Sequence, residues 1–255
     1  MRFEKWQALG NDYLIVTEPV AQEDVRRVCD RHTGVGADGV LLLEPPDAAG
    51  FVARLRIFNP DGGEAELSGN GVRQAVLYLH RRGWTDARQF SVQTAAGEIR
   101  PTILDERTCR VDMGRAQIGE QVQVAGFQGQ EVTIGNPQFS VRLDSQAAVD
   151  ALDLSAVGPP IEHDDRFPNR TNVSFWTEAG PGTIRARIFE RGAGAERLAG
   201  TGAIGAAVAH VVRGGDSPVS VQLDGGDLTV DVGEDFHIDL TGWAEPVFAG
   251  EWPVA

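Results

Sequence analysis

Lysine is almost missing from this chain of 255 residues: Lys5 is the only one, and the other 22 of its 23 basic residues are arginines. A pyridoxal-phosphate enzyme needs a lysine placed in its cofactor site to form the Schiff base. Only Lys5, next to the start, could serve, so that chemistry is set aside. Cysteine is nearly as scarce, and Cys29 and Cys109 are too few for a four-thiolate zinc site or a disulfide framework. No window approaches the roughly 18 consecutive apolar residues of a membrane span, and no charged N-terminal stretch leads into an apolar run. The chain therefore reads as cytoplasmic. Positive charge is also short: 23 Lys and Arg against 37 Asp and Glu give a formal net charge of −14. That charge repels phosphate backbones and anionic lipid, which argues against nucleic-acid or membrane partners. With 42% apolar and 24% charged residues, the composition excludes disorder, collagen and coiled coil for the whole. The length suits one large domain or two modest ones with real cores.

What the chain does contain is a repeat. Ala53–Gly83 lies over Ile184–Gly214 at a fixed offset of 131 without a gap. Arg54/Arg185, Arg56/Arg187, Ile57/Ile188, Phe58/Phe189, Gly69/Gly200, Gly71/Gly202 and Arg82/Arg213 are among the coincidences. Downstream, Ser91-Val92-Gln93 falls over Ser220-Val221-Gln222 once two residues are dropped, and upstream Gly10-Asn11 is echoed by Gly135-Asn136. Each copy reads as β-like runs, one helix after a glycine pair, then a hairpin. The spacing predicts a strand over 54–58 and helices over 72–80 and 203–212. It also predicts strands over 90–93 and 219–223, turning at Ala96-Gly97 and Gly225-Gly226. The second helix is apolar almost all round, so strands are expected to curl about it. The fold class is α+β, in two pseudo-symmetric domains, each a β-sheet or barrel wrapped around a central helix. The expected domains are residues 1–115 and 116–245, with 246–255 returning to the first.

The densest signals precede the two helices, over Asn59–Gly71 and Glu190–Gly202, which end in Gly69-Asn70-Gly71 and Gly200-Thr201-Gly202. Glycines at a helix start let a ligand approach the backbone, and the free first-turn N–H groups with the positive dipole end attract an anion. Either tripeptide alone reads equally as a tight turn with a cap. As a repeated pair, they point to a carboxylate cradle.

These residues resemble the diaminopimelate epimerases. The matching motifs, in family order, are Gly10-Asn11-Asp12, Cys29-Asp30-Arg31-His32 running to Gly36-Ala37-Asp38-Gly39, Phe58-Asn59-Pro60-Asp61-Gly62, Gly69-Asn70-Gly71-Val72-Arg73, Gly135-Asn136-Pro137, Asn172-Val173, Glu190-Arg191-Gly192 and Gly200-Thr201-Gly202. The resemblance implies a cofactor-free site in a cleft between two similar domains. It implies conversion of LL-diaminopimelate to the meso form used for lysine and cell-wall synthesis. It further implies that the backbone of Gly69, Asn70, Gly200 and Thr201 holds the α-carboxylate. Asn11, Asn59 and Glu190 would then surround the α-amino end, and Asn136, Asn172 and Arg191 the distal amino-acid end. Arginine offers a planar fork for a carboxylate, and asparagine serves ammonium or carboxylate. For Asn59 and Asn136, each beside a proline, turn formation is an equal reading. A homodimer is implied by resemblance only.

The family inverts its α-carbon with two cysteines, each directly before the helix-opening glycine, where the dipole favours thiolate. Here those positions hold Ser68 and Ala199. Ser68 is thus the one catalytic candidate at a family position, and Cys29 and Cys109, outside both motifs, read as ordinary buried thiols. Gln138 stands where the family has histidine, and Ala195 where it has glutamate, with Glu196 one place late. Three readings stay open: an epimerase in the ordinary sense, a proton-shifting enzyme using Asp61, Glu64, Glu66 or Glu196 as base, and a protein that binds an amino acid or dicarboxylate without turnover.

Overall fold

A computed structural model describes residues 1–65, 68–191 and 200–253. The chain divides into two compact units, Met1–Val111 with Gly242–Ala255, and Asp112–Thr241.

The first unit opens with strands β1 (Arg2–Ala8) and β2 (Asn11–Val16), then helix α1 (Gln22–Cys29), β3 (Gly39–Glu44), β4 (Ala53–Phe58) and β5 (Glu64–Ala65). Helix α2 (Gly69–Arg81) and the short β6 (Val92–Thr94), β7 (Gly97–Ile99) and β8 (Pro101–Ile103) follow. Strand β9 (Thr108–Arg115) leads out of it. The second unit continues with β10 (Gln117–Val124), β11 (Phe127–Ile134), β12 (Asn136–Arg142), α3 (Gln146–Asp150), α4 (Leu154–Glu162), β13 (Asn172–Gly180) and β14 (Thr183–Phe189). It ends with α5 (Gly200–Val212), β15 (Val219–Leu223), β16 (Gly226–Val232) and β17 (His237–Trp243), and β18 (Glu245–Glu251) closes the chain.

In the first unit the strand order is β18-β1-β2-β3-β4-β6-β7, with β5 on β4. Strand β18 runs antiparallel to β1, and Met1 N donates to Trp252 O at 2.9 Å. In the second unit the order runs β10 to β17 without interruption and then to β9.

The duplication is visible in the parallel pairs. Parallel neighbours need a crossover, usually a helix, and here β2 pairs with β3 across α1 and β4 with β6 across α2. In the second unit β12 pairs with β13 across α3 and α4, and β14 with β15 across α5. Asn11 and Asn136, linked in the sequence only by a Gly-Asn echo, are the first residues of the corresponding strands β2 and β12. The preceding glycines both sit at positive φ, 90° at Gly10 and 71° at Gly135.

Strand β2 is buried at every position because α1 covers one face of its sheet and α2 the other. Phe3, Leu14, Val16, Val40 and Leu42 pack with Val25 and Val28 of α1. In the second unit α5 touches every strand from β11 to β16, which accounts for its lack of a polar face. On the other side of that sheet Phe139, Val141, Val173 and Phe175 pack with Leu154 and Ile161 of α4.

The helices differ from expectation at their starts. Both glycine pairs lie inside the first turn, α2 beginning at Gly69 and α5 at Gly200, and not before the helix. Ser68 supplies the reason for α2: its hydroxyl accepts from Gly71 N at 3.1 Å and its carbonyl takes the first helical bond from Val72 N at 2.8 Å. The strand expected over 90–93 is β6, two residues later, because only Val92 and Gln93 reach the register of β4. Among the described residues no helix is long and apolar enough to cross a membrane.

Candidate active site

A two-residue hairpin between β1 and β2 places Asn11. Ala8 faces Asn11 in register, and the central residues Leu9 and Gly10 have φ of 58° and 90°, the positive values that a right-handed hairpin twist requires. A fully buried leucine in that conformation is unusual and marks a position fixed by its surroundings. Two elements then grip Asn11. Gln74 of α2 donates Nε2 to its backbone carbonyl at 3.0 Å, and its own Nδ2 donates to Asp38 Oδ2 at 2.8 Å.

Beneath it lies a charged network that the sequence reading did not assign. Lys5 Nζ lies 2.7 Å from Asp12 Oδ2 and donates to Gly36 O at 2.7 Å. Arg31 grips both Asp12 oxygens, at 2.7 and 3.1 Å, and also Asp38 Oδ1 at 2.6 Å. Burial would raise the Asp12 carboxyl, but the hydrogen bonds from Arg31 and Lys5 outweigh it and hold the group down at about 2. The one lysine of the chain is locked in a structural ion pair. Asp12, Arg31, Asp38 and Gly36 all fall inside quoted motifs, so the signal was there. A motif shows that residues matter, and only their distances show which side chain holds which.

At the start of α2, Ser68 accepts from Gly71 N, and Tyr13 Oη lies 3.4 Å from the same hydroxyl. Asn70 is buried, and Arg73, one turn on and 0% exposed, donates to its Oδ1 at 2.6 Å and to Gly69 O at 3.1 Å. Among the described residues Arg73 Nε has no partner, and burial pulls the guanidinium down to about 10. A cation thus stands directly behind the first turn, in the sense that favours an anion there. Its counterpart in the repeat, Ile204, is apolar.

Asn59 opens the turn that Gly62 closes, its carbonyl accepting from Gly62 N at 2.9 Å, and it is exposed. The backbone of Asn59 thus forms a turn, with its side chain exposed. The four candidate bases fare poorly where they can be placed. Arg56 holds Glu64 in a bidentate pair at 2.9 and 2.7 Å, which lowers its carboxyl. Asp61 is exposed and caps Gly63 N. Glu66 and Glu196 lie outside the described residues, as does Ala199.

In the second unit Asn136 opens β12. Its Nδ2 lies 3.4 Å from Thr201 Oγ1 in the first turn of α5, and Gln138 Nε2 donates to its Oδ1 at 2.6 Å. Gln138 sits beside Asn172 across the parallel β12 and β13 register. Asn172 Oδ1 accepts from Arg191 N at 2.8 Å, and Arg191 Nη1 donates to Asn169 O at 3.0 Å. The second unit thus gathers Asn136, Asn172, Arg191 and Thr201, and Glu190 precedes Arg191 at the end of β14. Gly200 is buried at the start of α5.

Neither thiol reaches these groups as a nucleophile. Cys29 and Cys109 are buried, and desolvation pushes each up to about 12. Among the described residues one cluster could offer a metal three ligands, Asp112, His237 and Asp239. His237 Nε2 and Asp112 Oδ1 stand 3.1 Å apart there as an exposed pair.

A family model described as diaminopimelate epimerase matches residues 3–119 and 131–246. A diaminopimelate epimerase of Pelotomaculum thermopropionicum is 39% identical over 282 aligned residues, covering 99% of each chain. One from Desulforudis audaxviator is 40% identical over 282 residues, again 99% of both. Among solved structures, a phenazine biosynthesis protein of the PhzF family from Bacillus anthracis matches with a TM-score of 0.78 at 16% identity, over 100% of this chain and 99% of its own. A probable proline racemase from Agrobacterium radiobacter matches at 0.74 and 17%, over 100% and 93%. At such identities the likeness is one of fold. The sequence relatives match over nearly the full length of both chains, and on that match the chain belongs to the diaminopimelate epimerase family, a family of isomerases.

Proposed function

We propose that this protein is a cofactor-independent isomerase of the racemase and epimerase type that takes LL-diaminopimelate or a close α-amino diacid. The observation that carries this reading is the retained set of ligand-holding groups. Each unit has a helix whose first turn is Gly-X-Gly, with buried Asn11 and Asn70 beside or on α2 and half-buried Asn136 against the first turn of α5. Arg191 supports a second carboxylate at the distal end. The substrate is a small molecule, the compartment the cytoplasm and the assembly a homodimer; nucleic acid and membrane are not partners.

Inversion at an α-carbon removes a proton on one face and returns one on the other. At the α2 start the available group is the Ser68 hydroxyl, a far weaker acid than a thiol and without a positioned base among its described neighbours. At Ala199 the sequence offers no titratable group, so a proton on that side would come from solvent. Turnover is therefore expected to be slow beside that of a two-thiol enzyme. A second reading, binding without turnover, is favoured by one observation: Ser68 Oγ is already engaged as the cap of α2.

The experiment is proton NMR of LL-diaminopimelate with pure protein in deuterium oxide. Loss of the α-proton signal, with meso product, supports the isomerase. Stabilisation of the protein by the ligand without exchange leaves the binding reading, and neither effect would sink both. Arg191→Ala should weaken a diacid far more than a mono-acid; equal losses overturn the distal-carboxylate role.

A further inference from the structure

The orientation of the Asn11 amide follows from its neighbours. Asp38 Oδ2, 2.8 Å from Asn11 Nδ2, also accepts from Asp12 N at 3.0 Å, while Asp38 Oδ1 takes Arg31 at 2.6 Å. A carboxylate with those donors offers only acceptors, so the amide must present its NH2 to it and not its carbonyl. The backbone cannot swivel to escape this, since Gln74 pins the Asn11 carbonyl from α2. Asn11 Oδ1 is left as the unbonded end, with no donor on it among the described residues, while Asn11 as a whole is 8% exposed.

We propose that Asp38 is a positioning residue, fixing Asn11 so that its carbonyl oxygen is the end offered to a ligand and selects a group that donates, an α-ammonium, over one that only accepts, such as a 2-oxo group. This rests on the reading of Asn11 as a ligand contact. Asp38 does not touch the ligand. It acts by taking up the amide's donor, and Arg31 and the Asp12 amide keep it aimed. A charge-assisted bond from an ammonium to the free oxygen is favourable, whereas an oxo group there would face oxygen with oxygen.

The test uses L-2-aminopimelate and 2-oxopimelate with the full chain, by calorimetry. Wild type should prefer the amino compound by about tenfold or more. In Asp38→Asn the new amide can turn its own NH2 toward Asn11 Oδ1 and release the Asn11 NH2, so the preference should shrink by about tenfold or reverse. A folded Asp38→Asn protein with an unchanged ratio overturns the proposal. Side-chain amide NMR of ligand-free wild type is the second arm. Asn11 should show an NH2 pair protected from solvent exchange, one proton shifted downfield by the carboxylate. Exchange as fast as that of exposed amides overturns the role of Asp38 even if the variant fails to fold. If neither compound binds but the Asn11 amide is protected, the positioning stands and it is the ligand assignment that fails.

Discussion

Asp12 and Asp38 each bind the other's backbone: Asp12 N donates to Asp38 Oδ2 at 3.0 Å and Asp38 N donates to Asp12 Oδ1 at 3.1 Å. This reciprocal pair ties the start of β2 to the turn before β3. Two like charges can sit so close because Lys5 and Arg31 are both held there.

The network should make the fold acid-sensitive. The folded Asp12 titrates at about 2 against an ordinary 3.8, so its stabilisation is full above about pH 4 and is lost as the pH falls toward 2. The loss is about 2 kcal/mol. Urea unfolding at pH 6, 4 and 2.5 measures it, and Asp12→Asn should be less stable at pH 6 and flatten the acid limb. An unchanged slope in that variant removes Asp12 as its source.

Lys5→Met should cost about 2–3 kcal/mol although it alters one side chain near the terminus. It removes a partner from a carboxylate that is 13% exposed and leaves Gly36 O without its donor. Arg81→Met, at the exposed last residue of α2, should cost under about 1 kcal/mol. Similar losses in the two variants would contradict a structural role for the lysine.

Both native thiols should resist a disulfide reagent at neutral pH until the protein unfolds, because each is buried and held near 12. Ser68→Cys should add one reactive thiol, acidified by the helix start. The double variant Ser68→Cys with Ala199→Cys should raise α-proton exchange on LL-diaminopimelate by at least about 10²-fold, the usual worth of a positioned acid–base group. No gain over wild type would place the defect elsewhere than in the missing thiols.

Gly205→Ala should destabilise by about 1–3 kcal/mol although alanine is the better helix former. The added methyl would meet Gln138 Cβ at 2.9 Å and Ser140 Oγ at 3.2 Å, so α5 and β12 must part. Because Gln138 holds Asn136, the same variant should weaken diacid binding. Thermal unfolding and calorimetry read the two effects separately.

The duplication was legible because it is written in residues that recur at one spacing, and the strands β4 and β15 were placed to within a residue by alternation. The helix starts were not. Gly69 and Gly200 argue by propensity for a loop, and the cap at Ser68 together with burial of the first turn overrides that preference. The candidate ligand groups were legible as motifs, but their local setting was not: the Asn59 backbone forms a turn, whereas Asn11 is clamped from two elements.

By itself the sequence determined the family, the twofold repeat and the loss of both thiols, since each depends only on which residues stand in which order. Only the tertiary structure decided what the remaining groups do. That the single lysine is an ion-pair partner of Asp12, that Cys29 and Cys109 are too deeply buried to ionise near neutral pH, and that Asp38 dictates which end of Asn11 is free all depend on burial and on distances of about 3 Å between residues far apart in the chain. Charge strength and hydrogen-bond direction are set by those short-range contacts, and no spacing along the sequence encodes them.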